Sequence, residues 1–380
     1  MLPCAQRCRE ALLSLTLLCS GAPAGATETP AAGPWGDVRL VEDLRIGSYD
    51  GPEETIFGRI SYLTVGPEGS IYVADDQLET LRAYDADGRF VRTIGRKGEA
   101  PGEYLLILGM TVLPNGNLAI YDGRNQRITI YKPDGDALHN FRVSNSLFAS
   151  DMLHHDVEGN LYLWSREPAG GQSNDWREFL LQVSPTGKTL GRISLPEEEA
   201  DTGSLHPATL WAWSPLGYLV VGNNENYSLE MRLPDAPRHI THPYEPVAVL
   251  PEERDQWLAW DEYFRKRSLE RGQPAVSHTI PARKPAFKGL CVSDDGRIWV
   301  QRYVAAEKQD VPPRAPGDKR HLFPWREPQV FDVFAPEGAF LGSIEMPRST
   351  RVLFRRGQQL WGVRTDDDGE RVVRFRIEKQ

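Results

Sequence analysis

A short phrase recurs six times along this sequence and restricts the fold more than any other feature. A run of apolar residues leads into a tight turn ending in glycine, and a second apolar run follows. The clearest copies are Val65-Gly-Pro-Glu-Gly69-Ser-Ile71-Tyr72-Val73 and Val112-Leu-Pro-Asn-Gly116-Asn-Leu118-Ala-Ile120. Weaker copies turn at Gly159, Gly217, Gly296 and Gly357. Each reads as strand, tight hairpin, strand. A unit of this kind cannot cover both faces of its own sheet, so the copies must pack on one another. Small four-stranded sheets repeated around an axis make a β-propeller, and six copies predict six blades.

The first three turning glycines lie about one uninterrupted blade apart, roughly 40–45 residues. The later gaps are longer and need insertions. Blade one is expected over Ile60–Ile94, with strands Tyr62–Val65, Ile71–Ala74, Thr80–Tyr84 and Phe90–Ile94. Blade four shows Leu219–Val221 and Tyr227–Leu233, and blade five Ile298–Gln301 and Val330–Phe334. The last blade has Val352–Phe354, Leu360–Val363 and Arg371–Ile377 and is one strand short. Val38–Ile46 has no blade of its own. It is expected to supply the missing outer strand, closing the ring without an open seam.

The linking phrase Ile94-Gly-Arg-Lys-Gly-Glu-Ala-Pro-Gly-Glu-Tyr104, followed by Asp122-Gly-Arg-Asn125-Gln-Arg127-Ile128, resembles the NHL-repeat family of six-bladed propellers, and within it the bacterial exported six-bladed β-propeller proteins. The full phrase stands in blades one and two. Blades three to six match in turn and strand pattern, and Ile107 replaces a proline common in the family phrase. The resemblance implies an all-β, six-bladed architecture over residues 36–380. It implies little about activity, because the fold hosts binders and enzymes alike. The Glu-Gly-Pro phrase of gluconolactonase-like propellers is missing; Gly66-Pro67-Glu68-Gly69 has similar letters in a different turn. Peptide-amidating lyases share the NHL fold but are disulfide-linked.

Residues 1–26 read as a secretory signal. Arg7 and Arg9 precede an apolar core from Ala11 to Cys19, and Ala24-Gly-Ala26 is a small-residue cleavage site. The apolar run is short for a bilayer span. Export to the periplasm or medium is the expected location. Lipoprotein anchoring at Cys19 ranks second, because bulky Leu18 stands where a small residue is needed. Cys4, Cys8 and Cys19 lie in this segment, so only Cys291 remains after cleavage. That excludes an intramolecular disulfide and a cysteine-rich metal site. The net charge of −9 argues against a nucleic-acid partner. A monomer without a membrane span is expected, meeting a small molecule, a glycan or an envelope protein.

In a four-stranded blade, the second-to-third loops and the blade-to-blade links share one face of the disc. The long stretches Ser165–Glu178, Arg302–Gln329 and Leu250–Pro285 all fall there. Long loops on one side of a rigid scaffold are where binding concentrates. The third stretch holds an expected helix, about residues 251–272, with Pro251 in its first turn, Glu252 and Glu253 at its positive end and Gly272 beyond it. Trp257, Trp260 and Phe264 share one face of that helix. They either pack onto the propeller or form a lid over the channel.

No nucleophile elbow, phosphate loop or zinc-protease helix is present, and no catalytic residue is assigned. No cofactor is expected, although this fold can hold a divalent cation such as Ca²⁺ in its channel. Asp75, Asp122, Asn223 and Asp366 end second strands and are candidate donors; alternatively each caps its own turn. Aromatics on the long-loop face carry the remaining signal. Trp164, Trp176, Trp211, Trp257 and Trp325, with Asn223, Asn224 and Arg302, are the candidate binding residues, suited to stacking on and hydrogen-bonding a sugar or peptide. The expected function is non-catalytic recognition on the long-loop face. The alternative is a metal-dependent lactonase- or lyase-like enzyme with its ion in the channel.

Overall fold

The computed structural model describes residues 33–143, 153–168, 176–197, 203–272, 275–310 and 322–379. The expected signal segment, with Cys19, lies outside the described residues. Residues 32–380 form one compact unit.

The unit is a six-bladed propeller of six four-stranded antiparallel sheets. The first strand in sequence, β1 (Val38–Ile46), belongs to the last blade. Blade one is β2 (Ile60–Val65), β3 (Ile71–Asp75), β4 (Thr80–Tyr84) and β5 (Phe90–Thr93). Blade two is β6 (Ile107–Val112), β7 (Leu118–Asp122), β8 (Arg127–Tyr131) and β9 (Ala137–Arg142). Blade three is β10 (Leu153–His155), β11 (Leu161–Pro168), β12 (Trp176–Val183) and β13 (Thr189–Ser194). Blade four is β14 (Thr209–Ser214), β15 (Tyr218–Asn223), β16 (Ser228–Arg232) and β17 (Arg238–Thr241), and α1 (Pro251–Glu270) follows it. Blade five is β18 (Phe287–Val292), β19 (Ile298–Arg302), β22 (Val330–Phe334) and β23 (Phe340–Glu345). Between its second and third strands lies a two-stranded ribbon of β20 (Glu307–Lys308) and β21 (Trp325–Arg326). Blade six is β24 (Thr350–Arg356), β25 (Gln359–Asp366) and β26 (Gly369–Lys379), with β1 hydrogen-bonded outside β26.

The repeated turn explains why the phrase is legible. At Gly116 the N–H donates to Leu113 O at 2.9 Å, the Leu113 N–H donates to Asn117 O at 2.8 Å, and φ is 83°. A Cβ is strained at that angle, so glycine holds the position. The core is divided among the interfaces between neighbouring blades. Tyr72, Ala74 and Leu81 of blade one meet Leu118, Ile120 and Tyr131 of blade two. Tyr218, Leu229 and Met231 of blade four meet Phe287, Val300 and Phe334 of blade five. Each sheet thus buries both faces against its neighbours, as the repeat requires.

The ring closes as expected, with β1 as the outer strand of the last blade. Val38 lies opposite Lys379 and Ile46 opposite Val372, with one irregularity between Glu42 and Leu44. Buried Ile46 joins Ile60, Val65, Trp361 and Val372 in the cluster shared by blades six and one. Arg364 donates to Glu42 at 2.6 Å and Arg374 to Asp43 at 2.7 Å, fixing the strand laterally.

One expected loop differs. Ser165–Glu178 begins and ends as sheet: Ser165 pairs with Phe179 and Pro168 with Trp176. The β11–β12 pairing runs without a break from Leu161–Val183 to Pro168–Trp176, so both ends of this stretch belong to the hairpin.

Candidate functional site

Antiparallel pairing puts the β11–β12 connection, the β19–β22 connection and the link from β17 to β18 at the same ends of their blades. The last two meet. Pro251 occupies the first turn of α1, where its missing N–H is harmless. The helix does not dock through its tryptophans alone: the residues it buries are Glu253 and Gln256, three apart on one face. Gln256 clamps the backbone of β21. Its Nε2 donates to Trp325 O at 2.9 Å, and Trp325 N–H donates to its Oε1 at 2.8 Å.

Glu253 belongs to a buried charge cluster. The Lys284 ammonium, with no exposed side-chain surface, contacts Glu253 Oε1 at 2.7 Å and donates to Glu327 Oε1 at 2.5 Å and Val304 O at 2.9 Å. Lys288 pairs with the other Glu327 oxygen. Three ammonium hydrogens meet three oxygens, which is what makes a buried lysine tolerable. Burial, with the nearby Glu327 and Glu253 charges, pushes the Tyr303 phenol well above its usual pKa.

Beside this cluster lies a cavity of about 530 Å³ lined by Glu253, Trp257, Tyr303, Phe323 and Trp325, among others. Trp257 packs against Leu205, Val249 and Ile280. Phe323 lies between two helix aromatics, 5.3 Å from Trp257 and 4.9 Å from Trp260 between ring centroids. Phe264 contacts Trp260 edge-on at 4.4 Å and is otherwise largely exposed.

The central channel is a second concavity. All six inner strands or the turns that follow them line a cavity of about 540 Å³. On its wall Thr111 Oγ1 lies 2.8 Å from His155 Nδ1, and His155 Nε2 lies 3.7 Å from Asp294 Oδ1. Arg356 donates to Asp294 at 2.7 Å and to the carbonyls of Val65 and Gly66. Burial lowers the His155 pKa, against the opposing pull of Asp294. Cys291 also lines the channel, and burial pushes its thiol up, away from nucleophilic use. Among the described residues, no group of three His, Cys, Asp or Glu side chains converges as a metal site.

The His154 pKa is pushed down to about 4 by burial and, secondarily, by His155. The unfolded chain takes up this proton near pH 6.5, whereas the folded chain stays neutral until about pH 4. Stability is therefore full above pH 6.5 and falls as the pH drops towards 4. The loss is at most about 3 kcal/mol, reduced by whatever solvent reaches the ring. Urea midpoints measured across this window should decline with acid, and His154→Gln should flatten the decline.

The structure places the sequence candidates in three groups. Asp75 and Asp122 are occupied by donors of their own turns and of the segments that lead into their blades. Asp75 accepts backbone N–H groups from Gly58, Arg59, Gln77 and Leu78 at 2.6–3.1 Å. Asp122 accepts from Leu105, Leu106 and Asn125 N–H and from Asn125 Nδ2 at 2.7–3.2 Å. Asn224 does similar work, accepting from Ala208 N–H at 2.6 Å and donating to Phe287 O at 2.8 Å. Asn223 accepts from Glu225 N–H, and Asp366 pairs with Arg371. Asp122→Ala would remove the acceptor of four partly buried hydrogen bonds, so it should lose about 3 kcal/mol in chemical unfolding.

The second group surrounds blades three and four. Trp164 donates to Glu178 at 3.1 Å and, with Trp211, packs on the Tyr162–Trp213 cluster. Arg166 lies over Trp164 and the more exposed Trp176. The third group is Trp257 with Trp325, on the cavity beside α1. Arg302 stands apart, 3.2 Å from the buried Asp332 carboxylate, which also accepts from Tyr227 and Ser343. The sequence reading missed Glu253 as a cavity residue, and Lys284, Tyr303, Phe323 and Glu327. The available signal was Glu253-x-x-Gln256-Trp257, a polar pair flanking the aromatic stripe of a docked helix.

A family model described as a 6-bladed beta-propeller matches residues 50–201. No curated protein matches the sequence. Among solved structures, a candidate exported protein of Bacteroides fragilis NCTC 9343 is similar at 12% identity, with 93% of this chain and 98% of that chain covered and a TM-score of 0.52. A gluconolactonase of Xanthomonas campestris aligns at 15% identity over 93% and 99% of the two chains, with a TM-score of 0.42. A virginiamycin B lyase of Staphylococcus aureus, solved with quinupristin, aligns at 10% identity over 90% and 99%, with a TM-score of 0.43. Of these, the Bacteroides likeness alone speaks, and at 12% identity it speaks only to fold. No helix among the described residues is long and apolar enough to cross a membrane. The six sheets, the match over residues 50–201 and the Bacteroides likeness agree on one statement: this chain is a six-bladed β-propeller.

Proposed function

We propose that this chain is an exported, non-catalytic propeller of the NHL-like kind that binds a ligand on its long-loop face, in the cavity between α1, β21 and blade five. The observation that carries this reading is the cavity: about 530 Å³, aromatic on several sides and built by the two insertions that meet there. Small-molecule sites have this size and this mixture of apolar walls with a few fixed polar groups. Gln256 holds the helix to the ribbon, and Lys284 joins Glu253 of the helix to Val304 and Glu327, so the walls are preorganised.

The test is thermal unfolding of the purified protein against panels of saccharides, peptides and small organic molecules. A ligand at a hundredfold excess over its Kd adds about 2.7 kcal/mol of stability. A hit that stabilises the wild type but not Trp257→Ala supports the reading. Hits unchanged by Trp257→Ala contradict it.

The alternative is a lactonase- or lyase-like enzyme working in the channel. The Thr111–His155–Asp294 arrangement favours it, because a histidine between a hydroxyl and a carboxylate suits proton transfer. Lactone hydrolysis that is lost in His155→Gln, or on chelation, would favour the enzyme.

A further inference from the structure

We propose that the cavity beside α1 is a carbohydrate subsite that takes a neutral pyranose ring, with Glu253 Oε2 accepting one of its hydroxyls. This deepens the binding reading above and rests on it.

The first observation is an unmet acceptor. Glu253 is 2% exposed, and its Oε1 is engaged by Lys284. Its Oε2 is buried and has no hydrogen-bond partner among the described residues, although the residue lines the cavity. A buried carboxylate oxygen left without a donor is costly, and native proteins rarely leave one unexplained. A ligand entering here is favoured if it brings a donor.

The charge balance decides which kind of donor. Glu253 and Glu327 carry two negative charges, and Lys284 and Lys288 carry two positive ones in contact with them. The cluster is neutral without a ligand. An ammonium ligand would add an uncompensated charge beside Lys288 and Arg326, both on the cavity wall. An anionic ligand would meet the Glu253 and Glu327 carboxylates, which line the same cavity. Either sets a like charge against the paired charges of the cluster. A neutral hydroxyl donates without disturbing the balance.

The walls select the rest of the ligand. Trp257, Tyr303, Phe323 and Trp325 line one cavity, with Phe323 tilted against Trp257 at 58° between ring planes. Aromatic faces are electron-rich and suit the C–H-bearing face of a sugar ring, while its edge carries the hydroxyls. A flat apolar ring would satisfy the walls but leave Glu253 unmet. An extended peptide would bring donors without the flat C–H face. A pyranose meets both demands.

The experiment titrates the full-length protein with neutral hexasaccharides of glucose, galactose, mannose and N-acetylglucosamine, followed by tryptophan fluorescence and calorimetry. A comparison panel holds aromatic amines and short neutral peptides. At least one hexasaccharide should bind, and Trp257→Ala and Phe323→Ala should each weaken it tenfold or more. Glu253→Gln paired with Lys284→Met, which keeps the cluster neutral, should weaken it similarly. Trp257→Phe, which retains a ring and serves as the folding control, should retain most of the affinity. Comparison compounds that bind in a Trp257-dependent way, with no hexasaccharide doing so, would overturn the sugar assignment and leave the binding reading standing. Saccharide binding indifferent to Trp257 and Phe323 would overturn this subsite. Trp257-independent behaviour in both panels would overturn both readings.

Discussion

Replacing Lys284 with methionine destabilises the protein by about 3–5 kcal/mol, measured as the change in unfolding free energy in urea. The side chain is fully buried and its ammonium serves Glu253, Glu327 and the Val304 carbonyl. Without it, two carboxylates are left close together with only Lys288, outside the buried core of the cluster, to offset them. Breaking one partner out of a buried set is expensive because the remaining charges lose compensation without regaining water. Glu253→Gln and Glu327→Gln in the Lys284→Met background should recover much of the loss. Lys97 is the internal control: its pair with Glu79 is about half exposed on both sides. Lys97→Met should therefore change stability by no more than about 1 kcal/mol. Equal effects at Lys284 and Lys97 would remove the case for a rigid, charge-anchored cavity.

Deleting residues 33–47 opens the ring and is the second large effect. Leu40 and Leu44 pack against core clusters, and Ile46 is 3% exposed. At about 1.5–3 kcal/mol for each fully buried side chain, the loss is on the order of 5 kcal/mol. That is comparable with the whole stability of many domains. The deletion also uncovers the long edge of β26, whose unpaired backbone groups invite another strand. The expected result is a chain that unfolds without a cooperative transition or aggregates. A soluble deletion variant melting like the intact protein would mean that closure by β1 contributes little.

The propeller was legible because its signal is local and repeated. Each hairpin needs a positive-φ glycine at one place, and Gly69, Gly116, Gly159, Gly217, Gly296 and Gly357 all have positive φ. The missing strand of blade six was equally visible, because Val38–Ile46 has strand composition and no partner nearby in sequence. The cavity was only half visible. Trp257 and Trp325 stand out by residue type, but Glu253 looks like a helix-end charge until Lys284 and Glu327 arrive from other segments. Asp75 and Asp122 show the converse. Their places at the ends of second strands make them candidate donors to a channel ion, yet backbone N–H groups of their own turns and of the segments leading into their blades occupy both carboxylates. The channel contact between Thr111 and His155 joins two blades and has no local signature. Local rules report turns and strands; a site assembled across blades depends on packing that only the closed ring supplies.

Fluorine NMR of the protein carrying 5-fluorotryptophan tests the binding site most directly. The sequence has 10 tryptophans, and single substitutions assign the resonances. On titration with the neutral hexasaccharides, the account predicts movement of the Trp257 and Trp325 signals, with buried Trp299 and Trp361 unchanged. Movement confined to Trp164, Trp176 and Trp211, or to Trp213 at the channel, would contradict it.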